Sequence, residues 1–236
     1  EQEPTEELVE EFLTRVAHAG KLQVEGGASI NGQFLASQPD AGTYAVAAGY
    51  LAGLTTQGDY SVAVGVNAGS NTQGDNATAI GREAGNLNQS VSATAVGYAA
   101  GKTNQAAYSV ALGFGAGQTS QREQAVSIGV NAGQTSQGAN SVAVGPSAGY
   151  ASQGSSAVAV GTGAGAQGQG ENAVAVGRES GNTGQSSGTV SIGIQSCMNN
   201  QGQNSVAVGS GSGRDGQSTN SVAIGSDAGK TTQGGY

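Results

Sequence analysis

Hydrophobic and polar positions alternate along this chain in short bursts, and a glycine closes each one. Clear examples read S-V-A-V-G at Ser61–Gly65, Ser141–Gly145 and Ser205–Gly209. Alternation with period 2 and β-branched side chains predicts a short strand. The glycine ends it and permits a sharp corner. This glycine recurs every 16 residues without a gap, at Gly49, Gly65, Gly81, Gly97, Gly113, Gly129, Gly145, Gly161, Gly177, Gly193, Gly209 and Gly225. Twelve repeats at a fixed period are the mark of a stacked repeat architecture. Residues 45–236 are therefore read as one β-solenoid repeat domain.

Registered on that glycine, the columns separate into fixed and free positions. The residue before it is Val, Ile or Leu except at Ala48, and the residue three before it is Val except at Thr78 and Thr94. Ala or Ser stands three after it, and Gly stands four after it except at Cys197. Eight after it stands Gln in every repeat: Gln57, Gln73, Gln89, Gln105, Gln121, Gln137, Gln153, Gln169, Gln185, Gln201, Gln217 and Gln233. The residue just after the glycine varies from Tyr50 to Arg82, Phe114 and Pro146, as a solvated position does.

A second short strand fits T-x-Q, with Thr and Gln on one face, and small polar residues then turn the chain back. Two strands and two turns fill sixteen residues, one coil of a flattened parallel β-roll. Coils at the ~4.8 Å strand spacing give twelve levels and a rod of roughly 58 Å. Equivalent side chains then lie above one another. The Val and Ile columns are expected to form the apolar seam of the roll, and the Gln column an amide ladder. On the other face of the same strand, the middle residue is always small: Ala63, Ala79, Ala95, Ala111, Ser127, Ala143, Ala159, Ala175, Ser191, Ala207 and Ala223. An exposed face would vary, so this small-residue face is expected to pack against another copy of the chain, side by side.

The start of the chain differs in kind. Residues 1–20 predict an amphipathic helix with Leu8, Val9, Phe12, Leu13 and Val16 on one stripe, a candidate assembly segment. Residues 21–44 read as an irregular lead-in or degenerate coil. The chain starts at Glu1, which suggests a processed or trimmed N-terminus, and it ends inside a repeat. An open end recruits a further chain, so head-to-tail growth into a filament competes with side-by-side packing.

Composition narrows the function classes. The chain has 236 residues, 43 of them Gly, and no Trp, too few large apolar side chains for an ordinary globular core. The net charge of −8 is concentrated at the start, where Glu1 to Glu11 hold six of the sixteen acidic residues. The repeat body has no basic patch, so nucleic acid is a poor partner. No apolar run reaches the ~20 residues of a membrane span. Cys197 is alone, which rules out an intrachain disulfide and favours a buried thiol. His18 is the only His, so a nucleophile–base pair is not available. Phosphate loops with the Gly-x4-Gly-Lys-Ser/Thr spacing, calcium repeats and metal-ligand clusters are missing as well. No cofactor and no catalytic or metal site is expected, and the chain is not expected to be an enzyme. A Thr six after the glycine occurs in only half the repeats, too patchy for an ice- or polysaccharide-matching lattice.

The S-V-A-[VI]-G-x-x-A motif, at Ser61–Ala68, Ser141–Ala148, Ser205–Ser212 and Ser221–Ala228, resembles the head repeats of trimeric autotransporter adhesins, the YadA-like heads. That resemblance implies a left-handed parallel β-roll, three rolls packed as a trimer, and adhesion to host or matrix surfaces. The A-G-x-T-x-Q-G element also looks like repeats of viral and phage fibre proteins. The sixteen-residue period and the Gln-Gly element depart from the usual head repeat. The expected function is an extracellular, self-assembling structural fibre subunit. The alternative is a trimeric adhesin or receptor-binding head of a cell or virion surface, with a surface glycan or receptor as partner.

Overall fold

The computed structural model describes residues 42–233 and two short strands, Ala28–Ile30 and Gln33–Leu35. Those two strands pair antiparallel, and the second lies beside Val46–Ala48, the first strand of the repeat body. The predicted N-terminal helix, with Leu8, Val9, Phe12, Leu13 and Val16, lies outside the described residues. The repeat body is an all-β parallel solenoid, with one coil per sixteen residues. Twelve strands, from Val46–Ala48 to Val222–Ile224, form one continuous parallel sheet, here the valine sheet. Its register is one repeat throughout, as in Val62↔Thr78, Ala63↔Ala79 and Val64↔Ile80. The twelve strands bound eleven full turns.

The opposite wall carries the glutamine strands. Seven run from Thr55–Gln57 to Ala151–Gln153, and four from Thr183–Gln185 to Thr231–Gln233. Between these runs the pairing thins to single bridges from Gln167 to Ala151 and to Thr183. The surrounding Gly163, Gly165, Gly168 and Gly170 have no side chains to hold a strand there.

Coil-to-coil bonds continue through the corners. Gly65 N–H donates to Ala48 O at 2.7 Å, Asn67 N–H to Tyr50 O at 2.9 Å, and Gly69 N–H to Ala84 O at 2.9 Å. Asn67, Thr72 and Asn76 each take a left-handed backbone (φ 57°, 56° and 57°), a conformation that Asn tolerates better than most side chains. The corner glycine is required for a different reason. Gly97 has φ 128°, and a Cβ there would stand 2.6 Å from Gly113 O in the next coil.

Two expectations about facing are reversed. The small residues Ala63, Ala79, Ala95, Ala111, Ser127, Ala143, Ala159, Ala175, Ser191, Ala207 and Ala223 all lie inside the roll, so they cannot be the surface that meets another copy. The Val and Ile columns on either side of them point outward and are half-buried or exposed in every coil. The cause is width. The interior holds only the small residues of one wall and the Gln side chains of the other, in clusters such as Ala52–Ala116 and Ala132–Ala175. A β-branched side chain pointing inward would collide with the amides. Thr and Gln of T-x-Q do not share a face either: Thr55 is exposed and Gln57 buried. The left-handed Thr56 between them (φ 49°) breaks the two-residue alternation.

Candidate assembly face and internal amide ladder

The glutamines bridge the two walls from inside. Gln73 Nε2 donates to Val62 O of its own coil at 2.9 Å and to Gln89 Oε1 of the next at 3.1 Å. Gln89 repeats this with Thr78 O at 2.9 Å and Gln105 Oε1 at 3.0 Å. Each amide thus ties strand to strand within a coil and coil to coil along the axis. Room for it comes from the glycine four residues earlier: a Cβ on Gly101 would lie 2.5 Å from Gln105 Oε1.

The ladder runs in two pieces. The first extends unbroken from Gln57 to Gln169, whose link from Gln153 measures 3.1 Å. Gln169 Nε2 then bonds only backbone, at Val158 O and Ala173 O. The second piece begins at Gln185 and passes through Gln201 to Gln217, each step 3.3 Å. Gln57 Oε1 and Gln185 Oε1, the first acceptor of each piece, are buried without a partner. The gap falls at the same coil that interrupts the glutamine sheet. Gln233 pairs by backbone register with Gln217.

Cys197 is the one departure from the Gly column beneath these amides. It is fully buried at φ 43°, and its Sγ donates to Gln217 Oε1 at 2.9 Å. Beside it, the Gln201 Nε2 to Val190 O bond is 3.3 Å long, against 2.8 Å for Gln185 to Val174 O. Burial pushes the thiol up to about 12.

The outward side of the valine sheet is a continuous aliphatic surface through the described coils. Val64 is 37% exposed, Leu112 44% and Ile192 40%. Among the described residues, aromatic side chains stand at its edges in the earlier coils. On the edge that follows the strands, Tyr98 and Phe114 stack with centroids 5.1 Å apart, and Arg82 lies 5.4 Å from the Tyr98 ring. On the edge that precedes them, Tyr44 and Tyr60 stack at 5.5 Å. Next to Arg82, Lys102 binds Glu83 at 2.7 Å and holds its carboxyl below the usual range.

One open depression of about 650 Å³ is lined by Gly184, Ser186, Asn200, Gly202 and Asn220, with no ionisable side chain. Among the described residues, no three His, Cys, Asp or Glu side chains gather as metal ligands. No helix among them is long and apolar enough to cross a membrane.

The sequence placed the glutamines and the small residues in fixed columns, but it missed the outward aliphatic face and its aromatic edges. Two signals pointed to the outward valines. Thr78 and Thr94 occupy that column, which a dry core would resist, and the neighbouring column never exceeds the size of Ser or Ala.

A narrow parallel β-roll with an aliphatic outer sheet defines a class of repeat-built rods. The family described as the YadA head domain repeat matches this chain twice, at residues 57–84 and 152–180. The resemblance read from the S-V-A-[VI]-G motif is thereby established for those two stretches. No curated protein and no solved structure matches the chain.

Proposed function

We propose that this chain is an adhesin-type β-roll head, carried at a cell surface, whose rods associate side by side with copies of themselves through the valine sheet. The observation that carries this reading is the outward aliphatic face. Three strand residues of ~3.3 Å rise across twelve levels of ~4.8 Å make a strip of on the order of 600 Å². That is at the upper end of the largest apolar patch a typical monomer exposes, a size often tied to function, and the aromatic edges widen it toward the ~800 Å² per partner of a standard interface. A partner must present apolar groups at the coil spacing to match this face along its whole length, and another copy of the chain does so. The match to YadA head repeats agrees with a surface adhesin and with a trimer as the closed form.

The test is sedimentation of the purified chain beside the double variant Ile128→Asp/Val160→Asp. A discrete oligomer that becomes monomeric in the variant, with an unchanged circular dichroism spectrum, supports the proposal. A wild-type chain that remains monomeric at high concentration overturns it. Filaments of indefinite length by electron microscopy would favour the fibre-subunit alternative.

A further inference from the structure

Tyr44 and Tyr60 hold the same place in successive coils, in the turn that leads into each valine strand. Both take a left-handed backbone, at φ 58° and 56°, so their side chains leave the turn in the same direction. The backbone between them is tied from both sides. Tyr60 N–H donates to Thr43 O at 2.9 Å, and Thr43 N–H to Asp59 Oδ1 at 2.7 Å. The two phenols therefore stack, with centroids 5.5 Å apart and planes 23° from parallel. Both reach solvent, Tyr44 at 78% exposure and Tyr60 at 57%. Among the described residues this is the one stack of two tyrosines. Tyr98 stacks on Phe114, which has no hydroxyl, and Tyr108 has Ser92 and Gln124 at its place in the adjoining coils. The pair also bridges a weak point. Gln57 Oε1, at the head of the amide ladder, is buried without a partner, and Gln57 holds the next coil by a single 3.3 Å amide bond. A terminal coil of a solenoid opens more readily than those inside the stack.

We propose that Tyr44 and Tyr60 form an oxidative cross-linking site, at which a haem peroxidase with hydrogen peroxide joins the two rings as dityrosine and staples the first coil to the second. Each phenol gives up one electron and its hydroxyl proton, which leaves a tyrosyl radical with spin on the ring carbons beside the oxygen. The two radicals pair there in one Cε–Cε bond. The hydrogen displaced from each Cε moves to its oxygen and restores both phenols. Hydrogen peroxide takes the two electrons and two protons and leaves as two waters, so the chain loses two hydrogens in all. Exposure of the rings lets them tilt from stacked to edge-on as the bond closes. Two radicals held in contact on one chain meet far more often than radicals on separate chains, so coupling within the pair outruns coupling between copies. The reaction belongs to a single chain and does not rest on the association proposed above.

The experiment treats the full chain, as a dilute mixture of isotopically heavy and light copies, with hydrogen peroxide and a haem peroxidase. Digestion before aspartate then separates Tyr44 from Tyr60 at Asp59. Mass spectrometry should find the two peptides joined, two hydrogens lighter than their sum, with the same isotope label in both halves. Tyr60→Phe keeps an aromatic ring in the stack and should lose the joined peptide. Phe114→Tyr supplies the missing hydroxyl to the Tyr98 stack and should add a second joined pair, read across the tryptic cut after Lys102. The amides of Val46 and Tyr60 bond between the first two coils, and their hydrogen exchange should slow several-fold in the coupled chain but not in treated Tyr60→Phe. A wild type without the joined peptide, joined peptides of mixed label, or a Phe114→Tyr chain without the second pair overturns the site. Unchanged exchange at Val46 and Tyr60 in the coupled chain overturns the staple.

Discussion

Gln105 sits in the longer amide run and Gln185 at the head of the shorter one, and the same substitution at each should have different consequences. Gln105→Leu breaks the bond accepted from Gln89 (3.0 Å) and those donated to Thr94 O (2.8 Å) and Gln121 Oε1 (3.2 Å). At ~1 kcal/mol net for each bond, about 3 kcal/mol is lost. Gln121 Oε1 is then left buried without its donor, which adds about 1–2 kcal/mol. The leucine itself recovers about 1 kcal/mol of apolar burial, leaving a net loss of about 3–4 kcal/mol. Gln185→Leu breaks the bonds to Val174 O (2.8 Å) and Gln201 Oε1 (3.3 Å), but Gln201 Oε1 keeps Ser191 Oγ at 2.7 Å. The substitution also removes Gln185 Oε1, which is already buried without a partner. Its loss should therefore stay within about 1 kcal/mol. Urea unfolding at one fixed protein concentration measures both, since association would otherwise shift the midpoint. Hydrogen exchange at residues 103–112 and 183–192 localises the effect, because a solenoid coil is coupled chiefly to its neighbours. Equal losses at the two sites, or a larger one at Gln185, would refute the claim that the ladder works as a relay of paired donors and acceptors.

The two faces of the valine sheet should respond in opposite ways. Ala143→Val overfills the interior and should cost about 1–3 kcal/mol, whereas Val144→Ala should leave the monomer within ~0.5 kcal/mol and weaken only association, read by unfolding and sedimentation together. Gly97→Ala should lose more than about 3 kcal/mol in thermal unfolding, because its Cβ meets Gly113 O at 2.6 Å and φ 128° lies outside the regions open to alanine. Cys197→Gly should change stability by no more than about 1 kcal/mol, since relief of a left-handed non-glycine offsets loss of the Sγ bond to Gln217 Oε1. The native thiol should resist alkylation at pH 8 until the chain unfolds. Its pKa rises from 9.0 to about 12 on folding, so the folded state favours the neutral thiol. Stability from this group is therefore full below pH 9 and falls as pH rises from 9 to 12; no such loss should appear in Cys197→Ala.

How far the sequence disclosed this structure depends on which property is asked of it. Period is a statement about translation, and stacking copies of one coil preserves it. The glycine every 16 residues and the glutamine eight after it were therefore enough to give the parallel roll and its register. Facing depends on the width of the coil, which no periodicity reports. Hydrophobic size alone sent Val64 inward and Ala63 outward, and the structure does the reverse. A coil this narrow selects its interior by volume before polarity, and the amide of Gln73 enters because its hydrogen bonds are met there. Local backbone conformation was equally hidden, since the left-handed Thr56 reads in sequence as an ordinary strand residue. The functional surface follows from the same inversion. Once the interior is filled by small residues and amides, the larger aliphatic side chains have only the outside of the sheet to occupy. A rod built this way therefore carries its stickiest surface outward along its length. On the self-association reading proposed above, disruption at Ile128 and Val160 therefore bears more directly on function than any change inside the coil.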